Sequence, residues 1–131
     1  MTVNPMVLFR FSALTYNAHR IHYDQAYAAT EGYPDLVVHG PLQALLMGEC
    51  LRHLGVSMLD QQFAYRLVAP TYGAQRLAAS SSMDGQEHAA RVRDGAGRTT
   101  ATATLQSRDN LSSPRTSGAS DQQRPQRPPL P

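Results

Sequence analysis

The chain has no lysine, a single cysteine and no long apolar run. All twelve of its basic residues are arginine, a uniformity that reflects genome composition more than phosphate recognition, which would want those charges grouped on one folded face. Cys50 alone excludes an internal disulfide, and its place in an apolar helical run marks it as a buried, unreactive thiol. No stretch approaches the roughly 18 apolar residues that a membrane-spanning helix needs. The N-terminus has no basic segment leading into an apolar one. These absences are read as a soluble, cytoplasmic protein with no membrane partner.

Charge of one sign is also scarce where it would matter. Four Arg and two acids lie from Ser107 onward, so the tail holds the whole net charge of +2, while residues 1–106 balance at eight against eight. No basic stripe is left for nucleic acid. With 131 residues there is room for one modest core and no separate catalytic domain. Residues 107–131 are rich in Pro, Ser and Arg and poor in large aliphatics, and are expected to be a disordered tail. The remaining residues 1–106 make one domain, and no internal repeat is visible.

Met6–Leu14 alternates Val7, Phe9 and Phe11 with Leu8, Arg10 and Ser12, which predicts a half-buried strand. Residues 17–30 read as a helix capped by Asn17 and ended by Gly32-Tyr33-Pro34. Leu36-Val37-Val38 is a short strand or loop leading into His39-Gly40-Pro41. Pro41 suits the first helical position, and the helix runs Leu42–Leu54 with an apolar face wide enough to be buried nearly all round, stopping at Gly55. Four strands follow, at Gln62–Ala69, Gln75–Met83, Glu87–Asp94 and Arg98–Gln106, separated by Gly- and Pro-containing turns. The class is α+β, an antiparallel sheet curled around a central helix with a fifth strand leading.

Two clusters carry chemistry. His19 and His22, three apart, would share a helix face. Such a pair invites a metal, but a site needs three or four ligands, and neither Cys50 nor a nearby acidic cluster completes one. No metal and no cofactor are expected. On composition alone, two ordinary surface or hydrogen-bonded histidines are the better reading. At His39-Gly40-Pro41, a helix N-terminus offers unpaired N–H groups, those of Gly40 and Leu42, to an oxygen that gathers negative charge. Taken alone, Gly40 also serves simply to turn the chain into the helix. His53 and His88 are read as structural or solvent-facing.

Taken together, Phe9–Asp24 (FRFSALTYNAHRIHYD) and Gly32–Leu42 (GYPDLVVHGPL) resemble the MaoC-like hydratases, in the branch of type 2 hydroxyacyl-thioester dehydratases and mesaconyl-CoA-like hydratases. The resemblance covers residues 6–106 and implies a hot-dog fold. In the wider family the first block reads Asp-x-Asn-Pro-(Ile or Leu)-His, with the Asp and His as the catalytic pair. On this sequence His22 falls on that His, Asn17 on the Asp, His19 on the Asn and Arg20 on the Pro; the branch commonly carries this Asn-x-His-(Arg or Lys)-Ile-His form. Gly40 matches the family's oxyanion-hole glycine and His39 the histidine before it.

The resemblance implies reversible addition of water across the α,β double bond of an acyl thioester carried on coenzyme A or acyl carrier protein. His22 would be the general acid/base, with Asn17 orienting the water or 3-hydroxyl. Gly40 would polarise the thioester carbonyl, and His19 is a candidate substitute for the missing carboxylate. His39, Leu42 and Tyr23 are the expected substrate-binding residues. Many relatives carry two hot-dog repeats, so a homodimer or a pairing with a separate hot-dog subunit is expected. The competing readings are a non-catalytic acyl-thioester-binding subunit and a thioesterase of the same fold using Glu49.

Overall fold

The computed structural model describes residues 1–84 and 87–107; of the tail expected over 107–131, Ser107 is the last residue of a strand and the rest lies outside the described residues. A two-residue strand β1 (Thr2–Val3) is followed by helix α1 (Pro5–Leu14), a 3-10 turn (Arg20–His22), helix α2 (Gln25–Thr30) and helix α3 (Gly40–His53). The strands β2 (Gln61–Leu67), β3 (Gln75–Arg76), β4 (Ala78–Asp84), β5 (Glu87–Arg93) and β6 (Thr99–Ser107) complete it. The main sheet is antiparallel in the order β2-β6-β5-β4, and β1 pairs separately with β3.

The segment read as a leading strand is α1. Asn4 caps it, its Oδ1 accepting from Val7 N at 2.9 Å, and Pro5 occupies the first turn, where a missing N–H is harmless. Leu8, Phe11 and Ser12 turn inward at helical spacing, whereas Phe9, one of the three apolar positions of the supposed alternation, is 56% exposed. A run of nine residues is too short for period 2 to outweigh a good cap, and the Asn4-Pro5 pair was the missed signal.

The helix expected over 17–30 is also two pieces. Asn17 does not cap it: its Oδ1 accepts from His19 N at 3.0 Å, closing a tight turn just after Tyr16, whose φ is 54°. The 3-10 turn begins after His19, and Asp24 caps α2 by accepting from Tyr27 N at 3.0 Å. Asp24 also takes Arg20 through its other oxygen at 2.6 Å. Its carboxyl is held below the usual range by the Tyr27 N–H first and by Arg20 next. Leu36–Val38 proves to be a loop, with an isolated antiparallel bridge between Val37 and Tyr72.

Helix α3 starts two residues earlier than expected, which puts Pro41 at its second position, and Gly55 ends it with φ 79°. It packs on β4, β5 and β6. It is not buried all round: Leu42, Gln43, Met47 and Leu51 face inward, while Leu45 is 56% exposed and Cys50 is half-buried. The inward face meets Leu77, Val92, Ala101, Ala103 and Leu105, and the core extends to Val3, Leu8, Phe11, Leu36 and Val38. On β6 the Ala side chains point in and Thr102 and Thr104 point out, as the alternation requires. Thr100 breaks that rule. Val92 pairs with Ala101 and Arg93 with Thr99, so Thr100 is the extra residue of a bulge and is fully buried. Among the described residues no helix is long and apolar enough to cross a membrane.

Candidate functional site

The loop Leu36–Val38 delivers His39 to the N-terminus of α3, and the 3-10 turn brings His22 beside it. The two imidazoles stack, with centroids 3.7 Å apart and planes 19° from parallel. His22 Nδ1 donates to Val37 O at 2.7 Å, so in the neutral ring Nε2 is the free acceptor. Burial lowers the His22 pKa, and the backbone bond to Val37 opposes that only in part. At neutral pH the ring is therefore uncharged and able to accept a proton.

His39 is 1% exposed. Its Nε2 lies 2.8 Å from Ser12 Oγ, and Phe11 meets the ring edge-on at 4.8 Å. Nδ1 has no hydrogen-bond partner among the described residues. The tautomer that leaves a bare lone pair there, with Nε2–H donating to Ser12, avoids an orphaned buried N–H. Burial, with a smaller push from His22, takes the His39 pKa down to about 4, so this ring is a neutral structural neighbour of His22.

Ser12 lines one cleft and His22 another, with His39 between them. The His22 cleft, about 390 Å³, is bounded by Val38, Gly40, Gln43 and the segment Leu67–Pro70. Gly40 is the first residue of α3, and His39 provides no side-chain cap, so the first-turn N–H groups keep their donor capacity. A Cβ at Gly40 would stand 2.5 Å from Leu67 Cδ1. Glycine fits there by close approach across the cleft, not by an unusual φ, and a larger residue would have Leu67 turn aside.

His22, His39 and Gly40 are thus brought together; the other expected residues are not. Asn17 and Tyr23 line the neighbouring cleft of about 340 Å³, with the Tyr23 hydroxyl donating to Ala18 O at 2.8 Å. His19 is exposed, its ring edge-on to His22 at 5.8 Å. The Leu42 side chain belongs to the core. Glu49 is exposed on α3 and paired with Arg52 at 2.8 Å, lining a different groove.

Sequence reasoning missed Ser12, the Val37 carbonyl, Gln43 and Thr100. Gln43 had a signal: it is a polar residue three places after Gly40, hence on the same face of an otherwise apolar helix. Thr100 had none, because its burial depends on the bulge.

The chain is 49% identical over 105 residues to a mesaconyl-C(4)-CoA hydratase of Chloroflexus aurantiacus, which covers 78% of this chain and 37% of the relative. It is 40% identical over 79 residues to a mitochondrial hydroxyacyl-thioester dehydratase type 2 of Schizosaccharomyces pombe, covering 58% of this chain and 26% of the relative. The chain therefore spans about a third of the length of these curated relatives. Among solved structures, an (R)-hydratase from A. caviae involved in PHA biosynthesis superposes with a TM-score of 0.67 over 80% of this chain and 88% of that one, at 19% identity. That likeness shows the hot-dog fold. Residues 1–73, which include the stacked histidines and the whole of α3, match the family model described as hydroxyacyl-thioester dehydratase type 2, and the chain belongs to that family.

Proposed function

We propose that the chain adds water to, and removes it from, the α,β bond of acyl thioesters, with His22 as the general acid/base. The observation that supports this most is the juxtaposition in one cleft of a neutral imidazole with a free Nε2 and the uncapped start of α3 at Gly40. In hydration, Nε2 takes a proton from water as its oxygen bonds to the β-carbon. The π electrons move onto the thioester oxygen, where the Gly40 N–H stabilises the enolate. The α-carbon then recovers a proton from His22, and dehydration reverses each step. Asn17 and His19 act on His22 from outside, holding the turn that carries it. His39 supports the ring from the opposite face.

A hot-dog partner, either a second copy or a second unit, fits two further observations. Strand β2 is a sheet edge. Beside it Leu45, Met58 and Tyr65 line an exposed groove of about 410 Å³.

The test is incubation with crotonyl-CoA, following loss of the conjugated-thioester absorbance alongside release of free thiol. Absorbance loss without thiol is expected, with its acid limb below the ordinary imidazole pKa of 6.5, because burial lowers that of His22. His22→Ala should lower the rate about 10²–10⁴-fold; hydration by this variant at the wild-type rate would refute the assignment. One observation favours a second reading, a binding subunit without chemistry: the Asn17 side chain lies outside the His22 cleft. That reading predicts neither absorbance loss nor thiol.

A further inference from the structure

Gln43 is the polar residue on the inward face of α3, only 3% exposed, and it forms part of the His22 cleft. Its amide oxygen has a close partner. Thr100 Oγ donates to Gln43 Oε1 at 2.6 Å, and Thr100 is aimed there by the bulge in β6. The same Thr100 accepts through its carbonyl from Val68 N at 2.8 Å and Ala69 N at 3.2 Å. One residue thus holds both the Gln43 amide and the segment that bounds the cleft with it.

With Oε1 committed to Thr100, the Gln43 Nε2 group carries two N–H bonds and has no protein acceptor among the described residues. Two donors, Gly40 N–H and Gln43 Nε2, then stand in the cleft with an acceptor, His22 Nε2. Hydration divides the same way. Water needs an acceptor for its proton, and the thioester oxygen needs donors as it becomes an enolate. Asn17, the side-chain amide expected from the sequence, lies in the neighbouring cleft and cannot supply this contact without rearrangement.

We propose that Gln43 is a further catalytic residue whose Nε2 donates to the thioester oxygen beside the Gly40 N–H. This rests on the hydratase reading above. The same enolate forms when dehydration begins with removal of the α-proton, so the contact serves both directions. Thr100 is then a positioning residue that sets which end of the amide faces the substrate.

The test compares wild type, Gln43→Leu, Gln43→Glu and Thr100→Val as full chains on crotonyl-CoA, with thermal melting recorded for each. Gln43→Leu should lower kcat on the order of 10²-fold, with KM little changed, as for a contact made mainly in the transition state. Gln43→Glu keeps an acceptor for Thr100 but presents a carboxylate to the growing negative charge, so its kcat should be lower still; it also serves should Gln43→Leu fail to fold. Thr100→Val should lower kcat less than Gln43→Leu, again with KM little changed. Wild-type kcat in Gln43→Leu, or higher kcat in Gln43→Glu than in Gln43→Leu, overturns the donor role while the hydratase reading stands. A folded wild-type chain with no turnover overturns the hydratase reading, and this inference with it.

Discussion

Acidifying the protein from about pH 7.5 to about pH 5 is expected to remove about 2 kcal/mol of folding stability through His39 alone. In the unfolded chain this imidazole titrates near 6.5; folded, it does so at about 4. Between these values the unfolded state binds the proton and the folded state does not. The stability due to the neutral buried ring is therefore complete above about pH 6.5 and drains away as the pH falls toward 4. At about 1.4 kcal/mol per pH unit, the 1.5 units from 6.5 to 5 give about 2 kcal/mol, a large share of the 5–15 kcal/mol typical of a domain. The carboxyls held low in the fold, Asp24, Asp94 and Glu49, have ordinary values of 3.8 to 4.5 and lose their contributions only below this window.

Urea unfolding followed by far-ultraviolet circular dichroism measures it, and with a slope of about 2 kcal/mol/M the midpoint should fall by about 1 M between the two pH values. His22 is shifted in the same direction, so a variant is needed to isolate His39. His39→Gln keeps a hydrogen-bonding partner for Ser12 and does not titrate. It should start less stable, having lost the stack on His22 and the edge of Phe11, but lose much less on acidification. Equal losses in the two proteins would refute the assignment of a neutral, buried His39.

Two further outcomes follow from the local geometry. Asn4→Ala removes the cap on Val7 N and should destabilise the fold by about 1 kcal/mol, a drop of about 4–8 °C in Tm by calorimetry. An unchanged Tm would mean that the α1 cap contributes nothing. Gly40→Ala sets a methyl against Leu67, whose side chain is 51% exposed and can swing aside. The fold should survive with a similar melting temperature, while the narrowed cleft loses up to about 10²-fold in activity; loss of folding instead would show that Leu67 cannot yield.

Much of the fold could be read because it depends on local pattern. The apolar α3 ending at Gly55, the Asp94–Gly97 turn between β5 and β6, and the Thr and Ala alternation of β6 are each written in neighbouring residues. Where local signals competed, the reading failed. Val7, Phe9 and Phe11 alternate convincingly, yet α1 is a helix because Asn4 and Pro5 start it and Leu8, Phe11 and Ser12 then share a buried face. Asn17 offers a good cap, but its side chain closes a turn on His19 and leaves the capping to Asp24.

The sequence by itself determined the family, through two ordered blocks, and singled out His22, His39 and Gly40, because histidine chemistry and the start of a helix are properties of residue type and local order. The tertiary structure alone decided what these residues touch. The stacking of His22 on His39, the placement of Asn17 in a separate cleft and the bond from Thr100 to Gln43 join segments 17 to 57 residues apart or set them apart. Contacts at such separation depend on how helices pack and where a bulge shifts a strand's register, and no short stretch of sequence contains that information.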